Sequence, residues 1–382
     1  MDRQVHVDLS TVTDNVRLLC EHVHGSQVMA VVKQDGYGHG AVHCARAALD
    51  GGASWLGVAH LAEAIQLREA GLTANVLCLT AVPGEDHEAA IRAGIDLTAG
   101  SAEHLRSVIA AAAARAGTPA RVQLKADTGL TRGGARADQW QPLIDAALAG
   151  QQRGLIQVTG LWSHFACSDM PGHPSVGTQL TAFGEAVAVA EKAGVTPEVT
   201  HIANTAAALT VPESRLNLVR FGGAMYGLST LPGGAPPWLR PAMSLRARLA
   251  MVKRVPAGTG VSYGLRYVTD RETTLGLVPL GYADGIRRAA TGQPLVGFRG
   301  RRFPIAGTVC MDQFVVDFGD EPVAVGDEVV LFGPGGPSAQ EWGEALGTIS
   351  YDITVGLGAR IPRVFFESEQ KDCASPGTET LS

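Results

Sequence analysis

The chain has 382 residues, 46% of them hydrophobic, which is more than a single core usually absorbs and predicts two domains. A formal net charge of −6, with no basic run interleaved with aromatics, excludes a nucleic-acid surface, and no stretch approaches the roughly 20 apolar residues that cross a bilayer. Six cysteines, at positions 20, 44, 78, 167, 310 and 373, show no C-x-x-C spacing, which argues against disulfides and structural zinc; residues 1–6 carry no apolar signal core, so a cytoplasmic protein with small-molecule partners is expected.

In chain order, short apolar, often β-branched runs at 28–32, 55–59, 76–79, 95–98, 122–126, 156–162, 199–202 and 218–221 alternate with Ala-rich segments of helical period. Repeated β-then-α units imply parallel strands with right-handed crossovers, and eight of them close a (β/α)8 barrel. The expected α/β fold places this N-terminal (β/α)8 barrel at 1–235, its first residues packing with a second domain. After Leu231-Pro232-Gly233-Gly234-Ala235-Pro236-Pro237 the pattern turns to β-rich stretches at 245–255, 273–279, 314–318 and 328–332, separated by Gly and Pro. They predict a C-terminal all-β domain at 236–366, followed by a polar, disordered tail at 367–382.

The first barrel strand ends in Lys33 and breaks at once into Gln34-Asp35-Gly36-Tyr37-Gly38-His39-Gly40. A lysine pinned by apolar neighbours loses hydration and becomes a better nucleophile toward a carbonyl; alone, a strand-end lysine more often snorkels into water. The segment resembles the lysine-bearing turn of the pyridoxal-phosphate-dependent alanine racemases, with Gln34 and Gly36 where that family more often has alanine. In a barrel, phosphate is frequently held by the loops after strands seven and eight. Here those are His201-Ile202-Ala203-Asn204-Thr205-Ala206 and Arg220-Phe221-Gly222-Gly223-Ala224-Met225-Tyr226-Gly227, which resemble the family's phosphate-binding motifs.

The resemblance implies that pyridoxal 5'-phosphate is held by Lys33, Tyr37, His164, Asn204, Thr205, Arg220, Gly222, Gly223 and Tyr351. Arg220 would face the pyridine nitrogen; a guanidinium cannot hand over its proton, so the ring stays a weaker electron sink than a carboxylate partner would make it. Leu124-Lys125-Ala126-Asp127-Thr128-Gly129-Leu130-Thr131-Arg132 resembles the segment whose arginine binds the substrate carboxylate and whose lysine, here Lys125, can be carbamylated; Thr131 replaces the usual glycine. Inverting a stereocentre needs a proton removed on one face and delivered on the other. Gly258-Thr259-Gly260-Val261-Ser262-Tyr263-Gly264 resembles the motif whose tyrosine supplies that second base from the partner subunit, which implies a homodimer with shared sites.

Later motifs extend the resemblance over nearly the whole chain: Gly281-Tyr282-Ala283-Asp284-Gly285, Cys310-Met311-Asp312-Gln313 and Ile349-Ser350-Tyr351-Asp352. They imply a Met311 backbone N–H near the substrate carboxylate, support from Asp312, and an entrance narrowed by Tyr282 and Tyr351. Thr308 stands where relatives often carry an arginine that pairs with an acidic residue such as Asp169 at the entrance. No metal is expected, since His39 and His43 lack the glutamate of the helical zinc motif. The implied reaction is interconversion of L- and D-alanine for peptidoglycan precursors. A racemase of serine or another small amino acid would keep every motif, because distinguishing a methyl from a hydroxymethyl group is worth only a few kcal/mol. A non-catalytic cofactor carrier would resemble only the first part of the chain, and a decarboxylase of this fold would present a carboxylate to the ring nitrogen.

Overall fold

In the computed structural model, which describes residues 2–80, 82, 84–115, 117–293 and 295–368, the chain starts inside the second domain. Strand β1 (Arg3–Asp8), with Val5 and Val7 fully buried, lies between β10 (Met243–Arg248), to which it is antiparallel, and β20 (Arg363–Phe366), to which it is parallel. Asp8 then accepts the Thr11 N–H and caps the helix Leu9–His22, which leads to the barrel.

The barrel strands are β2 (Gln27–Val31), β3 (Trp55–Val58), β4 (Asn75–Cys78), β5 (Asp96–Ala99), β6 (Ala120–Lys125), β7 (Ile156–Trp162), β8 (Val199–His201) and β9 (Leu218–Phe221). All lie within two residues of their predicted ends. Every recorded pair is parallel, and the order β8-β7-β6-β5-β4-β3-β2-β9 leaves one seam, between β8 and β9. The Arg220 N–H to Ala203 carbonyl bond (3.1 Å) and the Asn217 side chain, which accepts from Thr200 N–H and donates to the Glu198 carbonyl, bridge that seam. The edge that a parallel sheet would otherwise expose is thus closed.

In the second domain, β10 and β1 belong to a six-stranded sheet with β15 (Val296–Phe298), β16 (Arg301–Phe303), β19 (Glu328–Phe332) and β20. A four-stranded sheet joins β11 (Met251–Val255), β14 (Thr273–Val278), β17 (Ile305–Ala306) and β18 (Phe314–Gly319), while β12 (Gly260–Val261) and β13 (Tyr267–Val268) form a ribbon. The β-rich stretch expected at 245–255 therefore comprises parts of two strands in two sheets. At the junction Leu249 N–H donates to Asp327 in one sheet and Ala250 N–H to Leu277 in the other, so successive peptides serve different sheets. Two helices, Ala339–Leu346 and Ser350–Val355, complete the domain.

The glycine-rich turn after Lys33 is where this domain meets the barrel. A Cβ on Gly38 would strike the Thr354 carbonyl and one on Gly40 would lie 2.6 Å from the Phe365 ring. Glycine is needed there because the helix 350–355 and β20 lie directly on the turn. Residues 369–382, most of the predicted tail, lie outside the described residues. Among the described residues no helix is long and apolar enough to cross a membrane, and no group of three or more His, Cys, Asp or Glu could hold a metal ion.

Candidate active site

At the carboxyl ends of the barrel strands lies a cavity of about 710 Å³. Its lining includes Lys33, Tyr37, Lys125, Arg132, His164, Asn204, Thr205, Arg220, Gly222, Gly223 and Tyr351, eleven of the residues singled out in the sequence, with Trp162 and Thr230. Four cationic side chains, Lys33, Lys125, Arg132 and Arg220, face it, and no Asp or Glu is in the lining. Such a wall favours an anionic ligand, since its cations, three of them at least partly buried, face no carboxylate in the lining.

Lys33 reaches the cavity from an unusual backbone. Gln34, Asp35, Gly36 and Tyr37 all have left-handed dihedrals, with φ of 53°, 51°, 63° and 55°. Three of the four are not glycine, so the turn costs roughly 3–6 kcal/mol against a right-handed one. Side chains hold it. Glu63 accepts the Gln34 N–H (2.6 Å) while also capping its own helix, Leu61–Glu69, through Ala59 and His60 N–H; Asp35 accepts the Ala41 N–H; and His39 Nδ1, facing the Gly36 and Tyr37 carbonyls, must carry a proton and donate to them. Burial lowers the His39 pKa to about 4, so it does this as a neutral ring.

Burial, then the nearby guanidinium of Arg132, lowers the pKa of Lys33, with Glu63 opposing and Arg220 adding to the shift. The same two forces, burial first and then Arg132 and Arg220, bring Lys125 down to about 8, and its ammonium sits 4.4 Å from the Trp162 ring centroid. Arg220 is buried with four neutral acceptors: His201 Nδ1 (2.6 Å), His164 Nδ1 (3.0 Å), and the Ser163 and Ile202 carbonyls (both 2.9 Å). A guanidinium only donates, so both imidazoles accept through Nδ1 and carry their protons on Nε2. Burial, then Arg220, pushes the pKa of both rings well below 6.5. Burial and Arg132 bring Arg220 itself down to about 9, which leaves it charged at neutral pH.

The cavity also contains a cradle of hydroxyls and glycines. A Cβ on Gly222 would collide with the Tyr37 hydroxyl and one on Gly223 with the Tyr351 hydroxyl, so the two phenols can close on this backbone only because no side chain stands there. Thr205 Oγ1 accepts the Gly222 N–H (3.2 Å) and Asn204 caps the helix Thr205–Thr210 through Ala207 N–H (3.1 Å). Hydroxyl and N–H donors in the same cavity as a depressed lysine suit a molecule with a phosphate ester and an aldehyde.

Five predicted site residues are not brought to the cavity within the protomer. Tyr263, Met311 and Tyr282 are 72%, 53% and 44% exposed, and Asp312 lies at the surface paired with Arg360 (2.6 Å). Half-buried Asp169 stands near Tyr351 without lining the cavity. Three of these belong to one assembly: Tyr282 and Ala283 N–H donate to the Cys310 and Met311 carbonyls, which ties the two loops together. Thr308 is buried: its hydroxyl donates to the Tyr263 carbonyl (2.9 Å), and Ser262 Oγ returns a bond to the Thr308 carbonyl (2.6 Å). That reciprocal clasp holds the strained turn in which Ser262 has φ of 62° and Leu265 of 47°. Thr131 also has a left-handed φ, 56°, which is the backbone reason a glycine suits that position; Asp127 accepts its N–H (3.1 Å).

Sequence reading missed Glu63, Trp162 and the buried polar groups behind Arg220, which are His201 and Gln123. A signal existed for the last: Arg121-Val122-Gln123-Leu124-Lys125 places polar residues at every second position of a strand predicted to be buried on both faces.

Residues 7–230 match the family model described as alanine racemase, N-terminal domain, and residues 242–365 the one described as alanine racemase, C-terminal domain. The chain is similar to the alanine racemase of Thermobifida fusca, 54% identical over 365 residues, 95% of this chain and 97% of that one. It superposes with a TM-score of 0.94 on the crystal structure of alanine racemase from D-cycloserine-producing Streptomyces lavendulae, at 50% identity, covering 97% of this chain and 98% of that one. Against the alanine racemase of Bacillus anthracis with bound L-Ala-P the TM-score is 0.88 at 34% identity, covering 96% and 95%.

Proposed function

The chain belongs to the alanine racemase family, and from that premise we propose that it interconverts L- and D-alanine with pyridoxal 5'-phosphate in the 710 Å³ cavity, by a two-base mechanism completed across a homodimer. Membership makes it an isomerase. The observation that carries the rest is what one cavity brings together: a hydroxyl-and-glycine cradle for an anion, a lysine of lowered pKa, and a guanidinium fixed by four neutral acceptors.

When bound, pyridoxal phosphate supplies an electron-withdrawing ring that acidifies the α-hydrogen of an attached amino acid. Tyr37, Tyr351, Asn204, Thr205, Gly222 and Gly223 would hold its phosphate, and Lys33 its carbonyl carbon. His164 would stand beside the ring and Arg220 would face its nitrogen. Because Arg220 keeps its proton, it would leave the ring nitrogen largely unprotonated and the bound cofactor a weaker electron sink, which would suit return of the proton to the same carbon. Arg132, which has no ion-pair partner among the described residues, binds the substrate carboxylate. Lys33 Nζ holds or delivers the α-proton on one face. The phenol of Tyr263, carried by the partner subunit, does so on the other, in a space whose cations stabilise an anionic oxygen. The exposed group of Tyr263, Leu265, Tyr282 and Met311 supports this dimer, because apolar surface of that kind asks for a cover. Met311 and Asp312 would reach the partner's entrance with Tyr282, near Asp169.

Incubating the cofactor-loaded protein with L-alanine and, separately, L-serine should give D-alanine rapidly and D-serine slowly; faster D-serine formation would favour the serine racemase reading, and neither product would sink the racemase. Gly223→Ala should raise the dissociation constant for pyridoxal phosphate at least about tenfold, since its methyl takes the place of the Tyr351 hydroxyl, and unchanged affinity by spectrophotometric titration would contradict the cradle. Lys125, part neutral at physiological pH, can add carbon dioxide; a carbamate then turns a cation into an anion that orients Arg132. Labelling with ¹³C-bicarbonate should show a carbamate carbon that disappears in Lys125→Met. A signal that survives the substitution would remove Lys125 from this role. Production of D-alanine for peptidoglycan precursors in the cytoplasm is the role we propose, tested by whether loss of the chain makes growth depend on added D-alanine.

A further inference from the structure

We propose that Asp96, buried at the foot of the barrel, is a positioning residue that orients Arg220 through a one-way hydrogen-bond chain along the barrel interior. This rests on the reading above that Arg220 faces the cofactor ring. The interior is divided. Met29, Val31, Trp55, Leu77, Val199 and Leu218 form an apolar cluster, while β5 to β9 send polar groups inward. Arg220 donates to His201 Nδ1 (2.6 Å), His201 Nε2 pairs with Gln123 Oε1 (2.8 Å), and Gln123 Nε2 donates to Asp96 Oδ2 (3.2 Å). Asp96 also accepts from Thr159 Oγ1 (2.5 Å) and Arg121 Nε (2.6 Å), and Arg121 continues to Glu198 at the exposed barrel foot (3.2 Å). Asp96, Gln123, Thr159 and His201 are fully buried.

The sense of the chain is fixed from both ends. Arg220 can only donate, so His201 must accept at Nδ1 and donate from Nε2. Three donors converge on Asp96, so Gln123 must turn its amide nitrogen there and its oxygen toward His201. A reversed chain would set a ring N–H against a guanidinium N–H at 2.6 Å in a site that water does not reach, leaving buried donors unpaired. Arg220 touches no carboxylate, so Asp96 is the anion that the chain connects to it, through two intervening residues. Held stiffly, the guanidinium keeps one position against the ring.

In Asp96→Asn the new amide must offer its oxygen to Arg121, and so presents donors to Gln123, which is driven to flip and to oppose His201 Nε2–H. Gln123→Met cuts the chain while leaving the Asp96–Arg121 pair, and serves if the first variant fails to fold. The readout is ¹⁵N NMR of His201 in the cofactor-free protein, with kcat and KM for alanine on the loaded enzyme. Wild type should show an unprotonated Nδ1 and a hydrogen-bonded Nε2–H. Both variants should shift or lose that Nε2–H signal and lower kcat about tenfold, with KM within about twofold because Arg132 is untouched. His201 signals unchanged in both variants would overturn the proposal, as would altered signals with unchanged kcat. A wild-type protein that racemises nothing would instead sink the reading of the site, while the His201 signals would still decide whether the chain exists.

Discussion

Lys33→Ala is expected to abolish racemisation, by at least about 10⁴-fold, because the amine proposed to hold the cofactor and one of the two α-proton bases are lost together. The same substitution should make the cofactor-free protein more stable at neutral pH. The folded pKa of Lys33 is lowered, chiefly by burial and then by Arg132, so below that value the folded state carries the full cost of a poorly hydrated cation. The cost is relieved as pH rises from the lowered value toward the ordinary one near 10.5, where the unfolded chain still holds the extra proton. Thermal unfolding of the two proteins at pH 7 should therefore place the variant higher, with the gap closing at alkaline pH. The opposite order would show that Lys33 is stabilised in the cavity by a partner, and would contradict the reading of it as a primed nucleophile. The rate of pyridoxal phosphate uptake by wild type should rise with pH for the same reason, since only the neutral amine attacks.

Tyr263→Phe should cost about 10²–10⁴-fold in kcat while leaving cofactor affinity within about twofold. The separation follows from geometry: Tyr263 is absent from the cavity lining of its own protomer and stands 72% exposed on a turn fastened by Ser262 and Thr308. A packed strand aromatic would behave differently, since its loss would lower stability and leave turnover alone. Spectral titration with pyridoxal phosphate and steady-state kinetics on the same preparation distinguish the two. A variant that turned over alanine normally would leave Lys33 as the only base and the mechanism without its second face.

The barrel was legible because each of its strands is a short apolar run bounded by turn residues and followed by a helical period, information local to about 25 residues. The site was legible where a backbone requirement leaves a mark on residue type. Gly222 and Gly223 appear because two phenols press on them, and Gly38 and Gly40 because the second domain does. Thr131 and Thr308 stand out as departures from the resemblance, and each has a structural account: a strained φ in the first, a bond to the Tyr263 carbonyl in the second. The interior chain was not legible, since its bonds join residues 27 and 78 positions apart, and nothing local says which polar side chain inside a barrel meets which. The split at Leu249 and Ala250 was hidden for a related reason. Both peptides lie in an apolar run, and only their distant partners, Asp327 and Leu277, assign them to different sheets. Tyr263 marks the limit of a single chain: its motif names it, yet within one protomer it faces outward.

The shared site can be tested by mixing inactive protomers. Lys33→Ala and Tyr263→Phe proteins, unfolded together and refolded with pyridoxal phosphate, would form hybrid dimers in which one site pairs an intact Lys33 with the partner's intact Tyr263 and the other site has neither. Random pairing makes half the dimers hybrid with one working site each, so about a quarter of wild-type activity should return. No activity above the two separate variants, with hybrid dimers shown to be present, would mean that the two bases do not meet across subunits.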